Sequence, residues 1–382
     1  MTWSPSTRKL TPTRCLTDAV NLHDQRFMEH ALELARKAVG LASPNPPVGC
    51  VIVKDGAIIG EGLHQYDWRD HAEIVALKQA GQRARGATMY VTLEPCNHTG
   101  RTGPCSDALV AAGIMRLVGA MRDPNPKNGA GGFARLRAAG VEVESGLLEG
   151  EAQRLNDGFS HWIRTGRPFV TLKSALTLDG QLTLPQSRKN KRNPWISSEE
   201  SRAEVHRMRH ASDALLTGIG TILADDPLLT DRSGLERRRR LLRVVLDTDL
   251  RLSPKSRILQ TVDDDLLVFT SAPLQSLKAR ELQNAGVELV RLRKNKSGLD
   301  LRPVLKELGR REILSVLLEA GPALNTAALS AKLVNRLVLF YAPKLAASSQ
   351  VPFAKGPIPN QLRFTICSIR QFGPDVALEL LP

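Results

Sequence analysis

Asp70-His71-Ala72-Glu73, followed after one predicted strand by Glu94-Pro95-Cys96-Asn97-His98-Thr99-Gly100-Arg101-Thr102-Gly103-Pro104-Cys105, is the stretch from which the fold of this chain follows. One imidazole and two thiolates fill three positions of a tetrahedral Zn²⁺ and leave the fourth for water, the layout of a catalytic rather than a structural zinc. His71, Cys96 and Cys105 are therefore the expected ligands. Glu73 is surplus to the metal, so its carboxylate can carry a proton from water to a leaving amine. A His-x-Glu, then Pro-Cys and a later Cys, is the pattern for hydrolytic removal of an exocyclic amino group from a heterocycle. Any one of these residues alone would more often be a packed core or surface side chain. All four in register, with Pro95 fixing the turn before Cys96, carry the assignment. A structural zinc would want a fourth Cys or His, and His98 is the nearby candidate. It reads better as a loop or substrate-side residue.

At 382 residues the chain is long enough for about two domains. An apolar fraction of 42% supplies ordinary cores, and no apolar run reaches the roughly 18 residues that a membrane helix needs. Five cysteines in no even, tightly spaced framework predict no disulfides and a reducing, cytoplasmic setting. Cys15, Cys50 and Cys367 are read as plain thiols. The net charge of +14 invites a nucleic-acid partner, but the charge is scattered and aromatics make up only 4% of the chain, few for base stacking. A basic field equally suits a phosphorylated small substrate and a phosphorylated cofactor. Residues 1–17 are rich in Ser, Thr and Arg and carry no acid before Asp18. They read as a disordered extension or a misplaced start rather than a transit peptide.

Outward from the cysteine loop, strands alternate with helices. Phe27, Ala31, Leu34, Ala35 and Ala38 recur at helical spacing, with Asp24 as the expected N-cap. Ser43-Pro44-Asn45-Pro46-Pro47 is a stiff loop before a buried strand at 48–54, and Asp55-Gly56 signals a hairpin into a strand at 57–62. Asn45 can either bond a pyrimidine edge or stabilise the turn between prolines. Strands at 88–93, 116–121 and 141–144, with helices between them, predict a three-layer α/β sandwich. The segments bearing the metal ligands should start helices, where the dipole favours thiolates.

A connecting helix is expected over 149–164, and Gly166-Arg167-Pro168 marks a second half. That half offers strands at 169–175, 214–217, 242–246, 266–270, 287–292, 313–318 and 337–341, closed by 375–381. Its basic tract Ser187-Arg188-Lys189-Asn190-Lys191-Arg192-Asn193 and the arginines 237–240 look like solvated loops. Ser197 or Ser198 should cap a helix. Gly218-Ile219-Gly220-Thr221 and Glu319-Ala320-Gly321-Pro322 are strand-to-helix turns at which backbone N–H groups can meet phosphate.

Together the halves resemble one family, the bifunctional deaminase/reductases of riboflavin biosynthesis, from about Asp24 to Leu380. The deaminase-side matches are Asn45-Pro46-Pro47-Val48-Gly49-Cys50-Val51, His71-Ala72-Glu73, Thr92-Leu93-Glu94-Pro95-Cys96, Gly100-Arg101-Thr102-Gly103-Pro104-Cys105 and Asp123-Pro124-Asn125-Pro126. The long interval from Cys96 to Cys105 sets this family apart from cytidine and tRNA deaminases. The reductase-side matches are Leu178-Asp179-Gly180, Trp195-Ile196, the run from Gly220 to Arg232, Glu319-Ala320-Gly321-Pro322 and Ala342-Pro343-Lys344.

The resemblance implies an N-terminal cytidine-deaminase-like three-layer α/β/α sandwich over 24–148, after an extension at 1–23. A linker helix over 149–167 and a C-terminal dihydrofolate-reductase-like α/β domain over 168–382 would follow. It implies one Zn²⁺ and NADPH as cofactors. NADPH would meet Ala175, Trp195, Thr221, Asp225, Thr248 and the segment Gly321, Pro322, Ala323, Leu324, Asn325, Thr326, Ala327. The phosphoribosyl-aminopyrimidine would meet Asn45, Asn193, Arg209, Leu229, Arg232 and Glu319. Gly103 stands where the family usually has Pro, and Asn193-Pro194 where it usually has Gly-x-Ser before the Trp. The implied partner is a small molecule, with no nucleic acid and no membrane; a homo-oligomer is compatible. The alternative is a deaminase whose second domain has lost reduction.

Overall fold

In the computed structural model, residues 17–99, 103–128, 131–184, 195–296, 298–347, 351–356, 358 and 362–382 are described. They form two compact units, one comprising the chain through Ala38 with Val48–Leu155, the other Val39–Pro47 with Asn156–Pro382.

The first unit runs α1 (Thr17–Lys37), β1 (Gly49–Lys54), β2 (Ala57–Leu63), α2 (Ala72–Ala80), β3 (Thr88–Leu93), α3 (Cys105–Ala112), β4 (Arg116–Met121), α4 (Gly131–Ala138), β5 (Glu142–Ser145) and α5 (Glu149–Leu155). Its sheet has the order β2-β1-β3-β4-β5. β1 pairs antiparallel with β2 and β3, while β3, β4 and β5 are parallel. The β1–β2 turn uses Asp55 and Gly56 at φ 52° and 76°, the left-handed pair that a tight hairpin requires.

Glycines show where the helices press on the sheet. A Cβ at Gly49 would stand 1.9 Å from Ala31 O of α1, and one at Gly62 would stand 2.0 Å from Ala72 O of α2. Cys50 pairs with Gly62, and neighbours along a strand face opposite ways, so the two helices cover opposite faces. This is the expected three-layer sandwich. Gly62→Ala should force α2 outward and destabilise the protein by about 1–3 kcal/mol. Gly150→Ala, with no atom within 4 Å of the new Cβ, should be neutral or slightly stabilising. Chemical denaturation of the two variants side by side checks this.

Asp24 does not cap the first helix, because α1 begins a full two turns earlier. Asp24 is buried instead, taking the Tyr90 hydroxyl at 2.5 Å and both guanidinium arms of Arg116 at 2.9 and 2.7 Å. The hydrogen bond from Arg116 holds its carboxyl below the usual range against the cost of burial.

The second unit contains α6 (Asp157–Thr165), β6 (Phe169–Thr177), α7 (Glu199–His210), β7 (Ala214–Gly218), α8 (Ile219–Asp225), β8 (Leu242–Leu246), β9 (Leu266–Thr270), α9 (Leu277–Asn284), β10 (Glu288–Arg291), β11 (Lys294–Asn295), β12 (Gly298–Leu299), α10 (Leu301–Arg310), β13 (Ser315–Glu319), α11 (Pro322–Ser330), β14 (Arg336–Ala342), β15 (Thr365–Phe372) and β16 (Asp375–Leu381). β11 and β12 pair with each other, and the remaining strands form one sheet in the order β10-β9-β8-β7-β13-β6-β14-β16-β15. The run from β10 to β14 is parallel and the last two pairings are antiparallel.

Three expectations need correcting here. The single helix expected over 149–164 is two, broken at Asn156, whose φ of −105° and ψ of 11° leave the helix. β16 does not end the sheet, since β15 lies outside it. The arginines 237–240 are a loop solvated only in part: Arg240 is exposed, but Arg237 is tied to Asp231 and Ser212 O and Arg239 to Glu312 O.

Candidate functional site

α2 and α3 both present their first turns to the same point. His71 is the N-cap of α2, held extended at φ −77° and ψ 162°, and Cys105 is the first residue of α3. His71 Nδ1 lies 3.2 Å from Cys105 Sγ and 3.5 Å from Cys96 Sγ. All three ligand atoms fall within 4.8 Å of one another. A tetrahedral zinc with Zn–N of about 2.0–2.1 Å and Zn–S of about 2.3 Å has N–S edges of about 3.5 Å. The donors present therefore fit Zn²⁺ in chemistry and spacing. The Cys96 thiol is pulled down because the Cys105 thiol bonds to it, and the Cys105 backbone N–H also donates to Cys96 Sγ at 3.3 Å.

Glu73, two residues into α2, is 4% exposed. Burial pushes its carboxyl up, offset in part by His71, and its side chain also bonds Cys105. A buried carboxyl whose proton affinity is raised, set beside the ligand cluster, suits a group that both takes and returns a proton.

The loop bearing Cys96 is braced by groups buried behind it. Glu94 accepts the backbone N–H groups of Asp123 at 3.1 Å and Phe133 at 2.9 Å. Gly131 and Gly132 leave the room this needs: a Cβ would sit 2.3 Å from Glu94 Oε1 or 2.0 Å from Pro95 O. Asn128 Oδ1 accepts the Asn97 N–H at 2.7 Å, and Ser106 donates to Asn97 Oδ1 at 2.9 Å. Burial raises Asp123 to about 6. His98 is not part of the ligand cluster; its Nδ1 is buried with no hydrogen-bond partner among the described residues. Asn45, by contrast, belongs with 39–47 to the second unit, and its N–H closes a turn on Ala42 O.

In the second unit the C-terminal ends of adjacent parallel strands form the edge at which open α/β sheets bind ligands. Gly321 is the N-cap of α11 with Pro322 inside its first turn, and Gly218 is the N-cap of α8. At Gly220 and Gly321 no atom lies within 4 Å of where a Cβ would stand, so a phosphate can approach the backbone. Just inside this edge three charges meet: Arg209 Nε and Nη2 bond Glu319 at 2.7 and 3.1 Å, and Lys173 Nζ lies 3.7 Å from the same carboxylate. Burial alone would raise Glu319, but Arg209 and Lys173 outweigh it and bring it to about 2. Lys173 was not expected. Its signal is a lone cation in the otherwise uncharged strand from Val170 to Ala175.

The second half, residues 168–378, matches the family described as RibD C-terminal domain, and residues 22–121 match the cytidine and deoxycytidylate deaminase zinc-binding region. A riboflavin biosynthesis protein RibD of Escherichia coli (strain K12) is 41% identical over 94% of this chain and all of its own length. The chain belongs to the RibD family. Another RibD, of Aquifex aeolicus (strain VF5), is 42% identical over 84% of this chain and 87% of its own. The solved RibD of Acinetobacter baumannii (form 1) is 37% identical with a TM-score of 0.80, over 95% of this chain and 99% of that one. A Thermotoga maritima structure described as a diaminohydroxyphosphoribosylaminopyrimidine deaminase/5-amino-6-(5-phosphoribosylamino)uracil reductase is 33% identical with a TM-score of 0.81, over 95% of this chain and 99% of that one. As a RibD-family chain it is a two-activity enzyme of riboflavin biosynthesis, a zinc deaminase joined to an NADPH-dependent reductase. No helix among the described residues is long and apolar enough to cross a membrane.

The NADPH contacts expected from the resemblance lie on strands of the second sheet or on the segments that follow them: Ala175 on β6, Thr221 and Asp225 on α8, Thr248 after β8, Gly321 at the cap of α11, and Pro322 to Ala327 within it. Two of these side chains are already engaged: Asn325 Nδ2 donates to Phe353 O at 2.8 Å, and Thr326 exchanges hydrogen bonds with Lys355. Trp195 is exposed, and its carbonyl accepts Lys344 Nζ at 3.0 Å. Asn193 and the basic tract 187–193 lie outside the described residues. Of the expected substrate residues, Arg209 and Glu319 are paired with each other, Leu229 is buried, and Arg232 is exposed.

Proposed function

We propose that this chain converts 2,5-diamino-6-(5-phosphoribosylamino)pyrimidin-4(3H)-one in two steps, in the cytoplasm. His71, Cys96 and Cys105 would hold the zinc, which when bound would supply a nucleophile from water at neutral pH. Glu73 takes the proton that water gives up and returns it to the leaving amine, so that ammonia departs and a ring carbonyl remains. The deaminated product then meets the second unit. Here Gly321 and the start of α11 would receive a cofactor phosphate on their N–H groups, and NADPH held there would supply the hydride for C1′ of the sugar, while the ring C1′–O bond opens and its oxygen takes a proton from solvent, leaving the ribityl chain. Arg209 is not free to grip phosphate because Glu319 fills its fork. The substrate phosphate therefore falls to Arg232, and Glu319 with Lys173 faces the sugar.

One observation carries this reading: a His-Cys-Cys set at zinc spacing beside the buried carboxyl of Glu73. The deciding experiment follows ammonia release and NADPH oxidation together on this substrate. Ammonia should appear first and NADPH oxidation should follow only after it. Ammonia without NADPH oxidation would restrict the function to deamination, and neither signal with zinc bound would remove the substrate assignment.

A further inference from the structure

Residues 226–232 lead away from α8 and carry Leu229 and Arg232, and their backbone is held at alternate positions. Arg243, itself fully buried, donates from Nη1 to Leu228 O at 3.0 Å. Arg209 donates from Nη1 to Thr230 O at 2.9 Å. The Arg232 N–H donates to His206 Nδ1 at 3.2 Å. Leu229, between the first two, has φ 56° and a side chain in the core. The outward guanidinium of Arg232 has no hydrogen-bond or ion-pair partner among the described residues, so it is an unspent anion-binding group.

His206 stands three residues before Arg209 on α7, on the same side of the helix. An Nδ1 that accepts a backbone N–H leaves the ring proton of neutral imidazole on Nε2. Burial first, then the guanidiniums of Arg209 and Arg232, hold this histidine below its ordinary value, opposed by Asp231 and Glu319. The Nδ1 lone pair is thus available at neutral pH.

We propose that His206 is a positioning residue for the reductase step, fixing the Arg232 backbone so that its guanidinium meets the anionic end of a phosphorylated substrate. This rests on the assignment of Arg232 to the phosphate. A displaced guanidinium loses alignment with the phosphate oxygens, so the cost falls on substrate binding rather than on hydride transfer.

The test uses the full chain and the deaminated phosphoribosyl substrate. His206→Ala should raise KM for that substrate about five-fold, the worth of one hydrogen bond, with kcat and the KM for NADPH changed by less than about two-fold. Amide exchange at Arg232 should quicken by a similar factor. His206→Asn, whose Oδ1 stands where Nδ1 stood, should restore both; His206→Gln, whose amide reaches the Nε2 position, should not. An unchanged KM in the Ala variant, or an Asn variant no better than Ala, overturns the proposal. If the wild type does not turn over this substrate, the functional reading fails by itself. Amide exchange then still decides the role of His206, and an unchanged rate at Arg232 in the Ala variant overturns it.

Discussion

Glu73→Gln is expected to abolish ammonia release, with a loss of about 10²–10⁴-fold or more, while one zinc per chain is retained. Glutamine keeps the volume and the packing at the start of α2 but cannot hold the shuttled proton. The ligands His71, Cys96 and Cys105 are untouched, so metal content should not fall. The second unit should oxidise NADPH at the wild-type rate when given the already deaminated substrate. Stability should move the other way from activity. With the metal stripped, burial raises the Glu73 carboxyl above its unfolded value, so the ionised form opposes folding once pH exceeds that value, and a neutral isostere removes the penalty. At pH 7 the unfolding midpoint of the metal-stripped protein should hold or rise. Ammonia detection, metal analysis and, after stripping, calorimetry on one preparation check all of this. A variant that keeps a tenth of wild-type ammonia release sinks the proton-shuttle role.

What could be read in advance divides along physical lines. The metal ligands were legible because zinc demands particular atoms, and those atoms come from a short segment whose spacing is visible in the chain. The strand-to-helix turns at Gly218 and Gly321 were legible for a similar reason: glycine and proline punctuate locally. β15 was not, because its outward residues Ile366 and Ile369 are exposed and its burial does not alternate as the usual strand signal requires. Asp24 looked like a cap because capping and burial use the same residue type. Only Tyr90 and Arg116, far along the chain, reveal which applies. The same limit hid the main feature of the second site. Arg209 and Glu319 could each be listed as a substrate residue, but their mutual fork spans 110 positions, and Lys173 joins it through the pairing of β6 with β13.

Arg209→Ala should therefore act on the second unit as a whole. Arg209 donates three ways, twice to Glu319 and once to Thr230 O, and its side chain is 11% exposed against 15% for Glu319. Removing one partner of a buried pair strands the other charge, at a cost of about 3–5 kcal/mol. Lys173 at 3.7 Å offsets part of this, which puts the expectation at the lower end of that range. The effect should depend on pH in a known direction. Glu319 sits at about 2 in the folded chain, below its unfolded value of about 4.3. Its contribution is present in full above the unfolded value and is lost as pH falls through about 2. In the variant burial dominates and removes that contribution, so the gap in stability between wild type and Arg209→Ala should be widest near pH 7 and narrow toward pH 3. Adding Glu319→Gln to Arg209→Ala should recover stability relative to Arg209→Ala alone, since the stranded charge is gone, and the cycle isolates the pair. NADPH oxidation should be lost in both variants, while ammonia release from the first unit continues. A gap that is flat with pH, or a double variant no more stable than Arg209→Ala, would show that the fork between α7 and β13 is not what holds this site together.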